Sequence, residues 1–430
     1  MGRENNLALV NHLHWVNADR FGWSASIGSG LKVAFVFLNA HSLEDTFEQL
    51  KVFLGHLNFI QPVVFFSEDC SFADYLRNNK VEVKILNINQ DRQFIKSNLV
   101  FYKILKENQI KLVQFCELAA FKSLAWGAKM AGAKIVYILN EIPTVFDSKN
   151  CAAFALSDQI VLNSPVLYTG LERASNFIFR NRTWKFLRRW FNSGKQMLVS
   201  RKQLLMNMVQ VIYHGVELEK FYIIDEVERS RIRQKLGIES SAKVVAYIGE
   251  FKSQNQQLEF MQTCALKILT DNQQVNFYFI TKNRSSKSQS YIFSCCDFVE
   301  SFGLQDKMFL TEVQTEIEML DLLRAIDIVV LSPQAALEID WLAKVFSLGK
   351  PVVTFNLAQH IKEFVGEYTT GVIVPVEDFY RLQLALKELI SNDIFYKQCV
   401  ENALDVSKYF FDVNYAVEKY EKLYRNLKTA

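Results

Sequence analysis

The hydrophobic residues of the first half of the chain form short, continuous apolar runs separated by longer stretches with apolar residues at helical spacing. Residues 32–40 (KVAFVFLNA) are the first run, and residues 42–57 (SLEDTFEQLKVFLGHL) follow with a Ser–Glu start typical of a helix cap. Strands that are apolar along their whole length are buried on both faces, so the pattern predicts a parallel sheet covered by helices. The other apolar runs of this half lie at 62–68, 81–88, 111–117, 134–141 and 158–164.

The same alternation starts again in the second half of the chain. Its apolar runs lie at 244–250, 275–281, 306–312, 327–333, 351–356 and 371–376. We therefore predict an α/β protein with two Rossmann-like, doubly wound domains in tandem, divided near residues 205–220. The predicted units are an unassigned segment 1–30, an N-terminal domain 31–210, a C-terminal domain 211–405 and a C-terminal helix within 406–430.

The composition is that of a globular protein. Half of the 430 residues are hydrophobic, and 49 basic residues stand against 46 acidic ones, which excludes a disordered tail or a polyanion-coating protein. Seven cysteines are dispersed without a CxxC pair, and six histidines lack metal-ligand spacing, so we expect reduced thiols and no metal. No apolar run reaches the roughly 18 residues of a membrane span, and the N-terminus lacks a secretory pattern, which predicts a cytoplasmic protein.

A basic segment interrupts this pattern at residues 177–202 (FIFRNRTWKFLRRWFNSGKQMLVSRK). It carries eight basic residues, no acidic residue and six aromatic residues, which leaves 41 basic against 46 acidic residues, a net charge of −5, for the rest of the chain. On a helix its aromatic residues share a face while basic residues point elsewhere, as in an interfacial helix on the anionic inner face of a cell membrane. Packing of the aromatic face into the domain core is the alternative, and nucleic-acid binding lacks any recognisable module. The candidate membrane-contact residues are Trp184, Lys185, Arg188, Arg189, Trp190 and Phe191.

Five stretches, in the same order along the chain, resemble motifs of glycosyltransferase family 4, a family of retaining sugar-nucleotide transferases with the GT-B fold. Residues 211–222 (VIYHGVELEKFY) are similar to its interdomain motif V-I-x-N-G-V-D-x-x-x-F, and residues 246–260 (AYIGEFKSQNQQLEF) to its motif G-R-F-x-x-Q-K-N-Q. Three further stretches resemble the strand before the donor-site helix, the turn after it, and the closing segment T-G-x-L-V-x-P-x-D. They are 326–333 (IDIVVLSP), 348–353 (LGKPVV) and 369–378 (TTGVIVPVED).

The resemblance implies that the two domains bind different substrates. The C-terminal domain would hold a nucleotide-sugar, the N-terminal domain a glycan or lipid-linked acceptor, and the reaction would occur in the cleft without a metal or other cofactor. The last helix, predicted at 415–427, would cross back to the first domain. The interdomain candidates are Gly215 and His214, which stands at the asparagine position of the motif.

The departures from the family pattern fall on charged positions of the donor site. The family places an arginine just after the strand glycine and a lysine early in the next helix, but Glu250 and Asn255 stand at these positions. Its two glutamates, eight positions apart, are replaced by Ala336 and Lys344. A developing diphosphate charge needs cations or oriented N–H donors, so these exchanges change the electrostatics of the site, with Lys252 as a nearby partial substitute.

The loops of the donor site also depart from the family, because several of their glycines are missing. The chain holds only 16 glycines, and loss of loop glycines narrows a phosphate cradle. The catalytic candidates are Asn140, Glu338 and Asp340. The donor-binding candidates are Gly249, Glu250, Lys252, Asn255, Lys344, Glu363 and Gly371.

Two functions remain open from the sequence. The first is a glycosyltransferase of envelope or polysaccharide assembly with a rearranged donor site. The second is a non-catalytic relative that binds a partner transferase, a glycan or a membrane. A dehydrogenase is disfavoured because no GxGxxG motif follows any predicted strand.

Overall fold

The structure of the protein is a computed structural model, and it contains two separate parallel β-sheets. The described residues are 30–38, 53–57, 59–87, 94–139, 154–163, 167–168, 171, 207–213, 215–249, 256–271, 274–281, 289–313, 315–333, 335, 339–357 and 359–429.

The first sheet has seven parallel strands in the order β3-β2-β1-β4-β5-β6-β7. The strands are β1 Leu31–Val36, β2 Ile60–Phe66, β3 Glu82–Ile85, β4 Leu112–Phe115, β5 Lys134–Leu139, β6 Gln159–Leu162 and β7 Val209–Val211. The helices that connect them include α1 Ser71–Asn78, α2 Phe94–Glu107 and α3 Leu118–Met130. Helices α2 and α3 pack on one face of the sheet, where Asn98 donates to the Ser123 carbonyl and accepts from the Gly127 N–H.

The second sheet has six parallel strands in the order β10-β9-β8-β11-β12-β13. The strands are β8 Lys243–Ile248, β9 Val275–Thr281, β10 Met308–Glu312, β11 Ile328–Leu331, β12 Val352–Phe355 and β13 Gly371–Val374. The order reverses between β8 and β11, which places a topological switch point at the carboxyl ends of these two strands.

The helices of the second half lie on both faces of this sheet, except the last one, which packs against the first sheet. They are α4 Glu226–Lys235, α5 Gln256–Phe260, α6 Leu266–Asp271, α7 Gln289–Ser301, α8 Glu316–Ala325, α9 Ile339–Ser347, α10 Gln359–Ile361, α11 Phe379–Ser391, α12 Asp393–Phe410 and α13 Val413–Thr429. Two π-helical turns extend these helices: Met261–Ala265 joins α5 to α6, and Lys362–Glu367 continues α10. Single π turns inside helices occur frequently at functional sites.

The apolar runs explain why both sheets are covered on two faces. All seven residues of β9 are buried, and alternate residues of this strand belong to two different core clusters. The twelve strands predicted from the sequence are confirmed, and the fold class is confirmed with them. The sequence pattern missed β7, because its three residues lie within a stretch interpreted as an interdomain connection.

Helix α13 returns to the first sheet, as the sequence predicted. Its buried residues Ala416, Tyr420, Leu423, Tyr424 and Leu427 belong to the same core cluster as strand residues of β1 and β2. No helix among the described residues is long and apolar enough to cross a membrane.

Candidate functional site

The carboxyl ends of β8 and β11 approach each other closely at the switch point. The Gly249 N–H donates to the Ile280 carbonyl at 3.2 Å, and the Ser332 N–H donates to the Ile248 carbonyl at 2.9 Å. A Cβ at position 249 would lie 2.6 Å from Ser332 Oγ and 2.7 Å from Ser332 Cβ. Glycine is therefore required at position 249 by sterics, because the Ser332 side chain fills the space that a Cβ would need.

Small hydroxyl residues complete this edge of the sheet. Ser332 is buried, and its Oγ accepts from the Ala335 N–H at 3.2 Å, which anchors the chain that leads to α9. Thr354 in β12 donates to the Leu331 carbonyl at 3.2 Å. Thr281 ends β9, is 3% exposed, and its Oγ1 has no hydrogen-bond partner among the described residues. The edge therefore carries one buried hydroxyl whose hydrogen-bonding capacity is unused by the described part of the chain.

Helix α9 presents one charged stripe and is otherwise buried. Asp340 and Lys344 are its only residues that are not buried, and they lie four positions apart, hence on the same face. Lys344 makes no ion pair or hydrogen bond with the described residues. Lys344 lies in the last turn of α9, the helix that follows the switch-point strand β11.

Glu363 lies in the π turn Lys362–Glu367 and is half-buried. Burial, and secondarily the charge of Glu367, raises the pKa of Glu363 above its ordinary value. Burial together with the charge of Glu363 raises the pKa of Tyr213, which precedes the interdomain residue Gly215. The structure therefore brings the donor-binding candidate Glu363 next to the connection between the two sheets.

The aromatic residues around Tyr213 form a continuous cluster. Its ring centroid lies 5.3 Å from that of Phe364, 6.2 Å from that of Phe410 and 5.9 Å from that of Phe411. This packing holds the segment that follows β7 against the carboxyl end of α12.

Gly215 lies at the crossing point of the two chain connections. A Cβ there would lie 2.2 Å from the Cα of Val413. Val216 bridges the same stretch, because its N–H donates to the Phe411 carbonyl at 2.7 Å and its carbonyl accepts from the Val413 N–H at 3.1 Å. The interdomain assignment of Gly215 thus has a steric basis.

Gly371 does not join the other donor-site candidates. It begins β13 and pairs with Val352 at the start of β12. Both residues lie at the amino-terminal ends of their strands, whereas Gly249 follows the carboxyl end of β8. A Cβ at position 371 would lie 1.8 Å from the Val352 carbonyl oxygen. Close packing of two strands, with no part in ligand approach, accounts for this glycine.

The same opposite edge holds a buried charge cluster that the sequence did not reveal. Asp327 accepts from Arg229 and Arg233, each at 2.7 Å, and from the Val244 N–H at 2.7 Å. Burial alone would raise the pKa of Asp327, but the two guanidinium groups and the N–H outweigh it and hold that pKa below its ordinary value. The cluster ties α4 to the starts of β8 and β11 and therefore has a structural role.

Lys350 is buried beside this cluster. Its Nζ donates to the Ile326 carbonyl at 2.7 Å and to the Arg324 carbonyl at 3.3 Å. Burial, reinforced by the charge of Arg229, lowers the pKa of Lys350 to about 7. The lysine of the G-K-P turn therefore stabilises the base of the sheet, far from the switch point.

Several candidates from the sequence lie outside the described residues. They are Asn140, His214, Glu250, Lys252, Asn255, Glu338 and the membrane-contact residues of 177–202. Their assignments stay predictions.

The comparison with known protein families matches the part of the chain that forms the second sheet. Residues 228–406 match the family described as Glycosyl transferases group 1. This region contains the second sheet together with the switch point and the Asp340–Lys344 stripe. No curated protein matches the chain.

Solved structures match the chain over nearly its whole length. A glycosyltransferase from Rickettsia africae ESF-5 is 14% identical with a TM-score of 0.71, and the match covers 93% of this chain and 99% of that chain. HepE from Anabaena in complex with UDP-glucose is 16% identical with a TM-score of 0.65, covering 92% of this chain and 100% of that chain. Sucrose-phosphate synthase from Thermosynechococcus elongatus is 13% identical with a TM-score of 0.60, and the match covers 93% of this chain and 99% of that chain. The fold is thus that of the GT-B glycosyltransferases.

Proposed function

We propose that the protein is a glycosyltransferase that binds a nucleotide-sugar at the carboxyl edge of its second sheet and transfers the sugar to a glycan or lipid-linked acceptor. The observation that carries the proposal is the half-buried pair Asp340 and Lys344, the two residues of helix α9 that are not buried. The match of residues 228–406 to Glycosyl transferases group 1 supports it, as does the fold shared with a protein solved in complex with UDP-glucose.

The donor site works by an exchange of charges relative to the family pattern. Glu250 stands where the family has arginine, and Lys344 stands where it has the second glutamate. Lys344 supplies a cation for the diphosphate, since it has no ion-pair partner among the described residues. A charge-assisted hydrogen bond to phosphate is about twice as strong as a neutral one, so Lys344 offsets the loss of the arginine.

The other donor contacts follow from the geometry of the edge. Gly249 follows β8 at the switch point, where the turn from a strand into a helix would offer backbone N–H groups to the diphosphate. Glu363 has a raised pKa, which suits a carboxyl group that hydrogen-bonds sugar hydroxyls. Asp340, one turn before Lys344 on α9, is a catalytic candidate together with Asn140 and Glu338.

Calorimetric titration with UDP-glucose, GDP-mannose and ADP-glucose tests the proposal. We expect micromolar binding of at least one donor, with donor hydrolysis or transfer. Lys344→Ala should weaken binding roughly tenfold or more, whereas Lys397→Ala, which removes an exposed lysine of α12, should have no effect.

A double variant tests whether binding depends on where the positive charge lies in the donor site or only on the net charge of the site. Lys344→Glu alone should abolish binding, and Glu250→Arg/Lys344→Glu, which restores the family arrangement, should recover it. No binding across the donor panel by the folded protein would favour the second candidate function, a non-catalytic relative that acts as a binding subunit. The observation behind that alternative is the simultaneous absence of the family's arginine, lysine and two glutamates.

A further inference from the structure

Helix α2 exposes large apolar side chains at the surface of the first domain. Phe94 is 50% exposed, Ile95 74% and Leu99 47%, and all three lie in the first two turns of the helix. Ile95, Leu99 and the half-buried Tyr102 follow one another four and then three positions apart, so they form an apolar ridge along the outer side of the helix. Exposed apolar residues that cluster in this way mark an interaction surface.

The inner side of α2 is held by specific packing, so the apolar ridge cannot turn towards the core. The Asn98 side chain donates to the Ser123 carbonyl at 2.7 Å and accepts from the Gly127 N–H at 2.6 Å. A Cβ at position 127 would lie 2.5 Å from the Asn98 carbonyl oxygen, so α3 approaches α2 as closely as a glycine allows. The ring of Phe101 meets that of Phe65 in β2 edge to face, with centroids 5.4 Å apart. The folded helix therefore keeps the ridge exposed.

Lysine side chains lie beside the apolar ridge. Lys96 and Lys103 are on one flank, Lys106 continues the line of the ridge one turn further on, and all three are exposed. None of the three forms an ion pair or a side-chain hydrogen bond with another described residue. The one acidic residue of α2 is Glu107 at its end, so three lysines and one glutamate give the helix a net charge of +2.

The combination of apolar and basic side chains selects the occupant of this surface. A bilayer with anionic head groups accepts both kinds of group, because apolar side chains reach the acyl chains while lysine ammonium groups stay among the phosphates. A convex ridge of separate side chains also needs no preformed groove when the partner is fluid. The 14 residues of α2 span about 21 Å, which is shorter than a hydrocarbon core of about 30 Å. The helix is thus suited to lie on a membrane and not to cross it.

We propose that α2 docks the first domain on an anionic membrane surface. Ile95 and Leu99 insert below the head groups, Tyr102 lies at head-group level, and the three lysines bind lipid phosphate groups. This inference goes beyond the proposed function, since it requires no nucleotide-sugar. It also assigns lipid contact to a different part of the chain from the basic segment 177–202.

Binding of the full-length protein to lipid vesicles, titrated with increasing lipid, tests the proposal. We expect saturable binding to vesicles of equal parts phosphatidylglycerol and phosphatidylcholine, and little binding to vesicles of phosphatidylcholine alone. The affinity for the anionic vesicles should fall as salt increases, because salt screens the lysine charges. Equal affinity for the two kinds of vesicle, or no binding to either, would overturn the proposal.

A substitution of the apolar ridge that keeps the net charge isolates the insertion step. Ile95→Gln/Leu99→Gln should lower the affinity for the anionic vesicles roughly tenfold or more. Ile317→Gln/Leu384→Gln is the matched control in the second domain, because Ile317 on α8 is also 74% exposed and Leu384 on α11 is also 47% exposed. It should leave the affinity unchanged, and an equal loss in both variants would contradict the proposal.

Lysine substitutions test the charged part of the surface. Lys103→Gln/Lys106→Gln should weaken binding to the anionic vesicles roughly tenfold. Lys267→Gln/Lys397→Gln changes the net charge equally at exposed positions of α6 and α12 and should have little effect. If both variants bind equally weakly, the attraction is nonspecific and α2 is not the docking surface.

The ridge variant also separates α2 from the other candidate regions. If Ile95→Gln/Leu99→Gln keeps full vesicle binding while Trp184→Ala/Trp190→Glu loses it, the lipid contact belongs to the segment 177–202 and the proposal is wrong. Nucleotide-sugar binding and circular dichroism should be the same for Ile95→Gln/Leu99→Gln and the wild type. A failure of membrane docking can therefore be distinguished from a failure of donor binding and from a loss of folding.

Discussion

Tyr424 and Gln114 are joined by a hydrogen bond across 310 positions of sequence, from the phenol of α13 to the side-chain carbonyl of a residue in β4. Both residues are buried, and the bond connects the last helix to the centre of the first sheet. Burial raises the pKa of Tyr424 well above its ordinary value, so the phenol stays protonated and donates.

Tyr424→Phe should lower the free energy of unfolding of the first domain by about 1–3 kcal/mol, because the Gln114 oxygen is left buried without this donor. Urea unfolding followed by circular dichroism measures the change. Tyr409→Phe, at a tyrosine that is 64% exposed, is the matched control and should be neutral. If Gln114→Leu/Tyr424→Phe is less stable than Tyr424→Phe alone, the cost does not come from the unpaired amide.

Gly249→Ala should disturb the switch point, since its Cβ would lie 2.6 Å from Ser332 Oγ. We expect a loss of stability of about 1–3 kcal/mol from overpacking, together with weaker nucleotide-sugar binding in the calorimetric titration. Gly55→Ala is the control, because nothing lies within 4 Å of a Cβ at that position. Unchanged stability and binding in Gly249→Ala would show that the two strand ends separate easily.

Lys350 should make the stability of the second domain depend on pH above neutrality. The unfolded chain has a lysine pKa near 10.5, whereas burial lowers the folded value to about 7. Between these values the unfolded state binds more protons, so the free energy of unfolding rises with pH. The wild type should therefore gain stability relative to Lys350→Met from pH 7 towards pH 10, by at most roughly 1.4 kcal/mol per pH unit.

Urea unfolding of both proteins over this pH range provides the measurement for Lys350. Lys397→Met, at an exposed lysine, should show no such difference from the wild type. A stability difference between the wild type and Lys350→Met that is constant over the range would mean that Lys350 titrates normally in the folded protein.

The basic segment 177–202 should bind anionic lipid if it is an interfacial helix. We expect the protein to float with vesicles that contain phosphatidylserine and not with neutral vesicles, and flotation should fall as salt increases. Trp184→Ala/Trp190→Glu should abolish flotation. Tyr380→Ala, which removes an aromatic residue that is 65% exposed on α11, is the control, and equal flotation of all variants would favour a core role for the segment.

Most of the fold could be predicted because fully buried parallel strands leave a local signal. Runs such as VNFYFIT (275–281) are apolar at nearly every position, and the structure buries all of them. Strand β7 has only three half-buried residues, which is too short for such a signal. The two π turns were also missed, since one extra residue per turn barely alters a helical hydrophobic pattern.

The candidate site was harder to predict, because its elements meet only in three dimensions. In the sequence, Lys344 stands at the position of the family's second glutamate. Only the structure shows that it is one of two residues of α9 that are not buried. Gly371 fits the motif but lies at the opposite edge from Gly249, where it accommodates Val352. The Asp327 cluster joins residues more than 80 positions apart. No local sequence pattern could therefore predict it.

The position of α13 also determines when the first half of the chain can finish folding. During synthesis the strands of the first sheet leave the ribosome before the second domain, but Tyr420 and Tyr424, which complete one of its core layers, are made after the second domain. Until then the nascent first domain has an uncovered apolar face while the entire second domain is being translated. A fragment that ends at the domain boundary would keep this face permanently open, so the N-terminal domain should be insoluble when it is expressed without the C-terminal helix.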